Sequence, residues 1–119
     1  MANEPVIIND ADITVYNIDE LSEINCPTIE LDSSVFSDSY TVDWYLSEDE
    51  DKKIVSIELT QGIYECKFNP LDFAEEIGNV SEYGDTIEGS YYAIVTNNVN
   101  GSSSSTSKPD KNNMFVIVK

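Results

Sequence analysis

Residues 40–46 read YTVDWYL, which places Tyr40, Val42, Trp44 and Leu46 on one side and Thr41, Asp43 and Tyr45 on the other. Alternation of this kind is the mark of a strand with one buried face. It recurs along the chain, and no long stretch carries the 3.6-residue repeat of a helix face. Strands are therefore expected in ITVYN (13–17), TIELD (28–32), KIVSIEL (53–59), GIYECKF (62–68), SYYAIVT (90–96) and MFVIVK (114–119). Their inward sets read Ile29 and Leu31; Val55, Ile57 and Leu59; Tyr64, Cys66 and Phe68; Tyr91, Ala93 and Val95. Seven or eight short strands divided by turn signals favour two packed antiparallel sheets, an all-β sandwich.

The punctuation between strands agrees. SEDEDKK (47–53) is a charged turn, and NNVNG (97–101) holds the residue types of a tight hairpin. Asn69 before Pro70 can cap one short helix, with Asp72 at its favourable end and Gly78 to stop it. Leu71, Phe73, Ala74 and Ile77 are then expected to cover one end of the core. The chain of 119 residues reads as one domain, with residues 1–9 an N-terminal arm. Residues 101–112 read as a flexible loop or a loose strand edge with a bulge.

Charge narrows the partners. The chain carries 23 acidic residues against 6 lysines, no arginine, and a net charge of −17. Residues 1–60 hold 15 of the acids and 2 of the lysines. Such a field opposes binding to nucleic acid and to anionic membranes. A protein partner, divalent cations or simple solubility fit it. The first residues lack the basic start and apolar run of a signal peptide, and no apolar stretch reaches membrane-spanning length. Synthesis in the cytoplasm without export is the expectation.

Catalytic chemistry finds little to work with. Without histidine there is neither the commonest general base near neutral pH nor the usual imidazole zinc ligand. Cys26 and Cys66 lack CxxC spacing and permit one disulfide at most. The expectation is no enzyme and no cofactor. Calcium is the one metal considered, with Glu48, Asp49 and Asp51 as candidate oxygen ligands, alongside Asp10 and Asp12. The same SEDED run also reads as a hydrated turn that resists edge aggregation, and that reading is adopted.

Trp44 and Tyr91 carry a family resemblance. Leu31 precedes Trp44 by 13 residues, and Tyr91 lies two residues before Ala93 in GDTIEGSYYAIVTNNVNGSSS. This resembles the immunoglobulin-like superfamily, in I-set, C2-like or PKD-like form, with Leu31 and Ala93 at the positions of the inter-sheet cysteines. Cys26, Trp44 and Cys66 lie 18 and 22 residues apart, the wrong spacing for that role, so Cys26 reads as a loop thiol and Cys66 as a core one. The resemblance implies an immunoglobulin-like antiparallel β-sandwich with Leu31, Trp44, Tyr91 and Ala93 in its core. It also implies a Tyr91 hydroxyl bonded to backbone upstream, the tyrosine corner. In that strand order Tyr45, Tyr92 and Ile94 share an exposed, weakly charged face, with Asn97, Asn98 and Asn100 at its end. These six are the expected protein interface.

Lone immunoglobulin-like domains without a disulfide or export signal look most like bacteriophage virion proteins. The function implied is a capsid decoration, head-fibre or tail-associated component, made in the host cytoplasm and bound to a capsid or tail protein in many copies. The alternative is a carbohydrate- or cell-surface-binding module of a larger exported protein, using Tyr45, Tyr92 and the Asn-rich turn.

Overall fold

The structure is a computed structural model, and it describes residues 5–8, 14–34, 38–47, 52–60, 62–81, 87–99, 101–105 and 115–119. Among these, eight strands appear in chain order: β1 (Thr14–Asn17), β2 (Thr28–Glu30), β3 (Ser39–Ser47), β4 (Lys52–Thr60), β5 (Glu65–Lys67), β6 (Gly89–Asn97), β7 (Ser103–Ser105) and β8 (Phe115–Val118). A larger sheet runs β1-β8-β6-β3-β4, and β7 also pairs with β6. The smaller sheet pairs β2 with β5. The described residues are thus mostly strand, in two sheets, with one short α-helix.

β3 shows why the alternation was so informative. Tyr40, Val42, Trp44 and Leu46 are all buried, while the residues between them are half-buried. Opposite them on β6, Tyr91, Ala93 and Val95 are buried too, and Trp44 pairs directly with Ala93. The indole is fully buried and stacks on Phe68 at 4.8 Å and 15°. Phe68 follows β5 of the smaller sheet, so this stack ties one layer to the other. Phe68 also stacks on Phe73 at 5.2 Å and tilts against Tyr91 at 5.7 Å. Burying aromatic area of this kind dominates the favourable side of folding.

Several expectations are corrected in detail. β1 runs parallel to β8, so the larger sheet is mixed rather than wholly antiparallel. β4 has a register shift where Trp44 and Tyr45 meet it, but Val55, Ile57 and Leu59 pair with the inward Trp44, Val42 and Tyr40 and pack on the core as expected, the first two half-buried and Leu59 buried. Part of the expected arm is bound: Ile8 N–H donates to the Glu30 carbonyl and Asp32 N–H to the Val6 carbonyl, both at 2.9 Å. Residues 6–8 therefore extend the smaller sheet beside β2. Ser103–Ser105 form β7 within the stretch read as a loop or loose edge.

The helical segment begins as expected. Asn69 Oδ1 accepts from Leu71 N–H at 3.1 Å, and a 3-10 turn over Pro70–Phe73 leads into α1 (Ala74–Val80). It runs past Gly78, closing where Ser81 N–H donates to the Ile77 carbonyl. Ile77 and Phe73 pack on the core, but Leu71 and Ala74 face solvent. The tight 3-10 start rotates those two away from the sheets. No helix among the described residues is long and apolar enough to cross a membrane.

Two glycines have conformational work. Gly89 opens β6 at φ 152°, where an added Cβ would stand 3.0 Å from the Leu46 side chain. Gly101 closes the β6–β7 hairpin at φ 78° and donates its N–H to the Asn97 carbonyl at 2.8 Å. Both angles suit glycine alone without strain.

Candidate interaction surface

On the side of the larger sheet away from the core, β3 contributes Thr41, Asp43 and Tyr45, and β6 contributes Tyr92, Ile94 and Thr96. Tyr45 lies opposite Tyr92 and Asp43 opposite Ile94. The two phenol rings stack at 5.1 Å and 8°. Towards the β4 edge, Ser56 donates a hydrogen bond to Asp43, and Lys53 stands 3.9 Å from the same carboxylate. Towards β7, the Thr96 and Ser103 hydroxyls are 3.0 Å apart. Across β8 and β1 the face continues as Val116, Val118 and Val15.

Tyr92 departs from its expected exposure. Its residue is only 2% exposed, although it belongs to no part of the core between the sheets. Stacking flat on Tyr45 helps to close its ring to solvent. Tyr45 and Ile94 are half-buried and keep accessible surface. Tyr92 is therefore a support for this face rather than a contact residue on it.

The asparagine turn is also corrected. Asn97 is 1% exposed, and its Oδ1 accepts from Val99 N–H at 2.9 Å, so it shapes the hairpin from within. Asn98 is exposed, but both ends of its amide are engaged. Oδ1 accepts from the Thr41 hydroxyl at 3.0 Å, and Nδ2 donates to the Ser39 hydroxyl at 2.8 Å. Together they fasten the hairpin to β3 and hold Val99 at the tip, 67% exposed. Asn100 lies outside the described residues, as do Glu48, Asp49 and Asp51. Among the described residues no group of three or more Cys, Asp or Glu side chains is arranged to hold a metal ion.

Sequence reasoning passed over Val15, Val116 and Val118 on this face. The signal was present: beside inward Tyr16, Phe115 and Ile117, ITVYN and FVIV carry valine at outward positions, which a strand with one wet face does not require.

A separate cleft of about 570 Å³ opens near the loop before β2, lined by Glu23, Ile24, Cys26, Lys67, Asp72 and Phe73 among others. Its Cys26 thiol is buried, faces the Glu23 carbonyl at 3.8 Å, and has its pKa pushed up by that burial. A thiol held protonated is a poor nucleophile. Lys67 is paired with Glu65 at 2.7 Å, and this hydrogen bond raises its pKa. Both cysteines are free.

No family model matches the chain, and no curated protein or solved structure matches it.

Proposed function

We propose that the chain is an immunoglobulin-like sandwich acting as a non-enzymatic interaction module in a multi-copy protein assembly. The fold part of this reading draws on three features. The first strand lies parallel beside the last, the penultimate long strand sits centrally against β3, and the Tyr91 hydroxyl donates to the Ile87 carbonyl at 2.5 Å. That last bond has the form of a tyrosine corner. Leu31 and Ala93, at the family's cysteine positions, both belong to the buried cluster around Trp44.

The observation that carries the functional part is the outer face at Tyr45, Ile94 and Thr96. It offers apolar and hydroxyl surface on a chain whose net charge is −17. Aromatic and branched side chains on a rigid sheet suit a protein contact, and the surrounding acids keep free copies apart. Following the resemblance, the assembly is a bacteriophage virion, with the chain as a capsid decoration, head-fibre or tail-associated protein. A sugar platform would need an open ring face at Tyr92, and its burial leaves the carbohydrate reading with Tyr45 alone.

Occupancy on purified particles tests this. Ile94→Glu should leave the melting temperature within a few degrees of the parent and reduce occupancy at least about tenfold, as expected for a buried contact turned into an unpaired charge. Unchanged occupancy removes the face from the reading. A parent chain that never associates with particles removes the virion assignment.

A further inference from the structure

We infer that the outer edge of β1 is a docking edge for an extended, basic-flanked segment of a protein partner, added as a further strand. An edge strand presents unpaired backbone N–H and C=O groups, which form a template for another chain unless something blocks them. Five edges exist among the described residues, and they are not alike; that of β7 is only three residues long. β4 carries Lys52 and Lys53 and a register shift against β3. β5 is three residues long and exposes Glu65 and Lys67. Residues 6–8 follow Pro5 directly. Charge, shortness, irregular pairing and proline are the usual guards of an edge. β1, with sequence TVYN, has no charge, no proline and an unbroken register with β8.

The edge is also held ready. Tyr16 faces the core, 6.4 Å from Phe115, and anchors the strand. Asn17 Oδ1 accepts from Asp19 N–H at 2.9 Å and ends it in a fixed turn. Val15 is 59% exposed, beside the half-buried Val116 on β8, and Val118, which pairs with Asn17, is 38% exposed. An incoming strand would find an ordered backbone and an apolar side chain to lie against.

Charge decides the occupant. Directly after β1 come the exposed acids Asp19 and Glu20, with Glu23 beyond them, and no lysine precedes Lys52 in the sequence. A second copy would bring the same acids and another net charge of −17 to the joint. A segment with branched apolar residues at its centre and lysine or arginine beside them meets both the valines and the acids. The docking edge lies apart from Tyr45 and Ile94, so it and the face proposed above can fail separately.

The probe is a short synthetic peptide of alternating threonine and valine with paired lysines at both ends, beside a glutamate-flanked counterpart. Backbone amide resonances of the whole chain are followed during titration. The lysine peptide should shift the amides of residues 14–17 and weaken severalfold as salt rises from about 0.05 to about 0.5 M. The glutamate peptide should not bind. Val15→Lys should weaken the lysine peptide about tenfold at unchanged melting temperature, and Ile94→Glu should leave it unaffected. The inference is overturned by an absence of β1 shifts at millimolar lysine peptide, by shifts centred on β4 or β5, or by equal binding of the two peptides. Self-association of the chain through β1, seen as a dimer with those amides protected, would also overturn it.

Discussion

The Tyr91 hydroxyl donates a 2.5 Å hydrogen bond to the Ile87 carbonyl oxygen, four residues upstream, inside the buried end of β6. The bond fixes how the chain enters β6 after Ile87 and supplies that carbonyl with a donor away from water. Tyr91→Phe keeps the ring against Phe68 and removes this donor alone. The expected loss is about 1 kcal/mol, or a fall of about 3–5 °C in melting temperature, with binding through the outer face unaltered. Calorimetry on the two proteins checks it.

Tyr45 and Tyr92 face each other across β3 and β6, and their stack is the sum of two quite different burials. Tyr92→Ala should destabilise strongly, by about 3 kcal/mol, because a closed ring is deleted. Tyr45→Ala should cost less, its ring being partly open. In a double-mutant cycle the pair should show a coupling of about 0.5–1.5 kcal/mol from ring stacking. Coupling near zero, read from urea unfolding of all four proteins, would mean the rings merely neighbour each other.

Alkaline pH should loosen the fold through Cys66. Burial pushes this thiol from 9.0 up to about 11, against a smaller opposing pull from the nearby Trp44 indole N–H, which has no hydrogen-bond partner among the described residues. The folded chain therefore keeps the proton where the unfolded chain has lost it. Stability is complete below the unfolded pKa and falls as pH rises from about 9 to about 11, by roughly 2–3 kcal/mol at most. Burial moves Tyr16, Tyr40 and Cys26 in the same direction. Urea midpoints taken near pH 8 and near pH 11 should drop in the parent, and Cys66→Val should retain more of its stability across that interval.

Much of the fold was legible because period-two alternation leaves no freedom once one face is buried. Slipping β3 by one residue would send Trp44 to the outside. The same logic failed at Tyr92, whose parity is outward but whose ring closes against a partner 47 positions away in sequence. Asn97 and Asn98 were rightly placed in a turn, yet their amides are spent on Val99, Ser39 and Thr41, contacts that residue type alone does not reveal. Residues 6–8 join the smaller sheet through backbone bonds to Glu30 and Asp32, which need no side-chain pattern and so left no trace in the sequence. Leu71 looked inward by composition, but the 3-10 start sets a different rotation from an α-helix.

The position of β8 bears on how the molecule is made. It leaves the ribosome after the other described strands, and it lies between β6 and β1, so β1 must wait for all of them before the neighbour that holds it is made. Until residues 115–118 emerge, the nascent sheet is split, and β1 is an unattached ribbon with Tyr16 and Val15 open to any passing chain. A nascent fragment stopped before Phe115 should be the most adhesive form this protein ever takes.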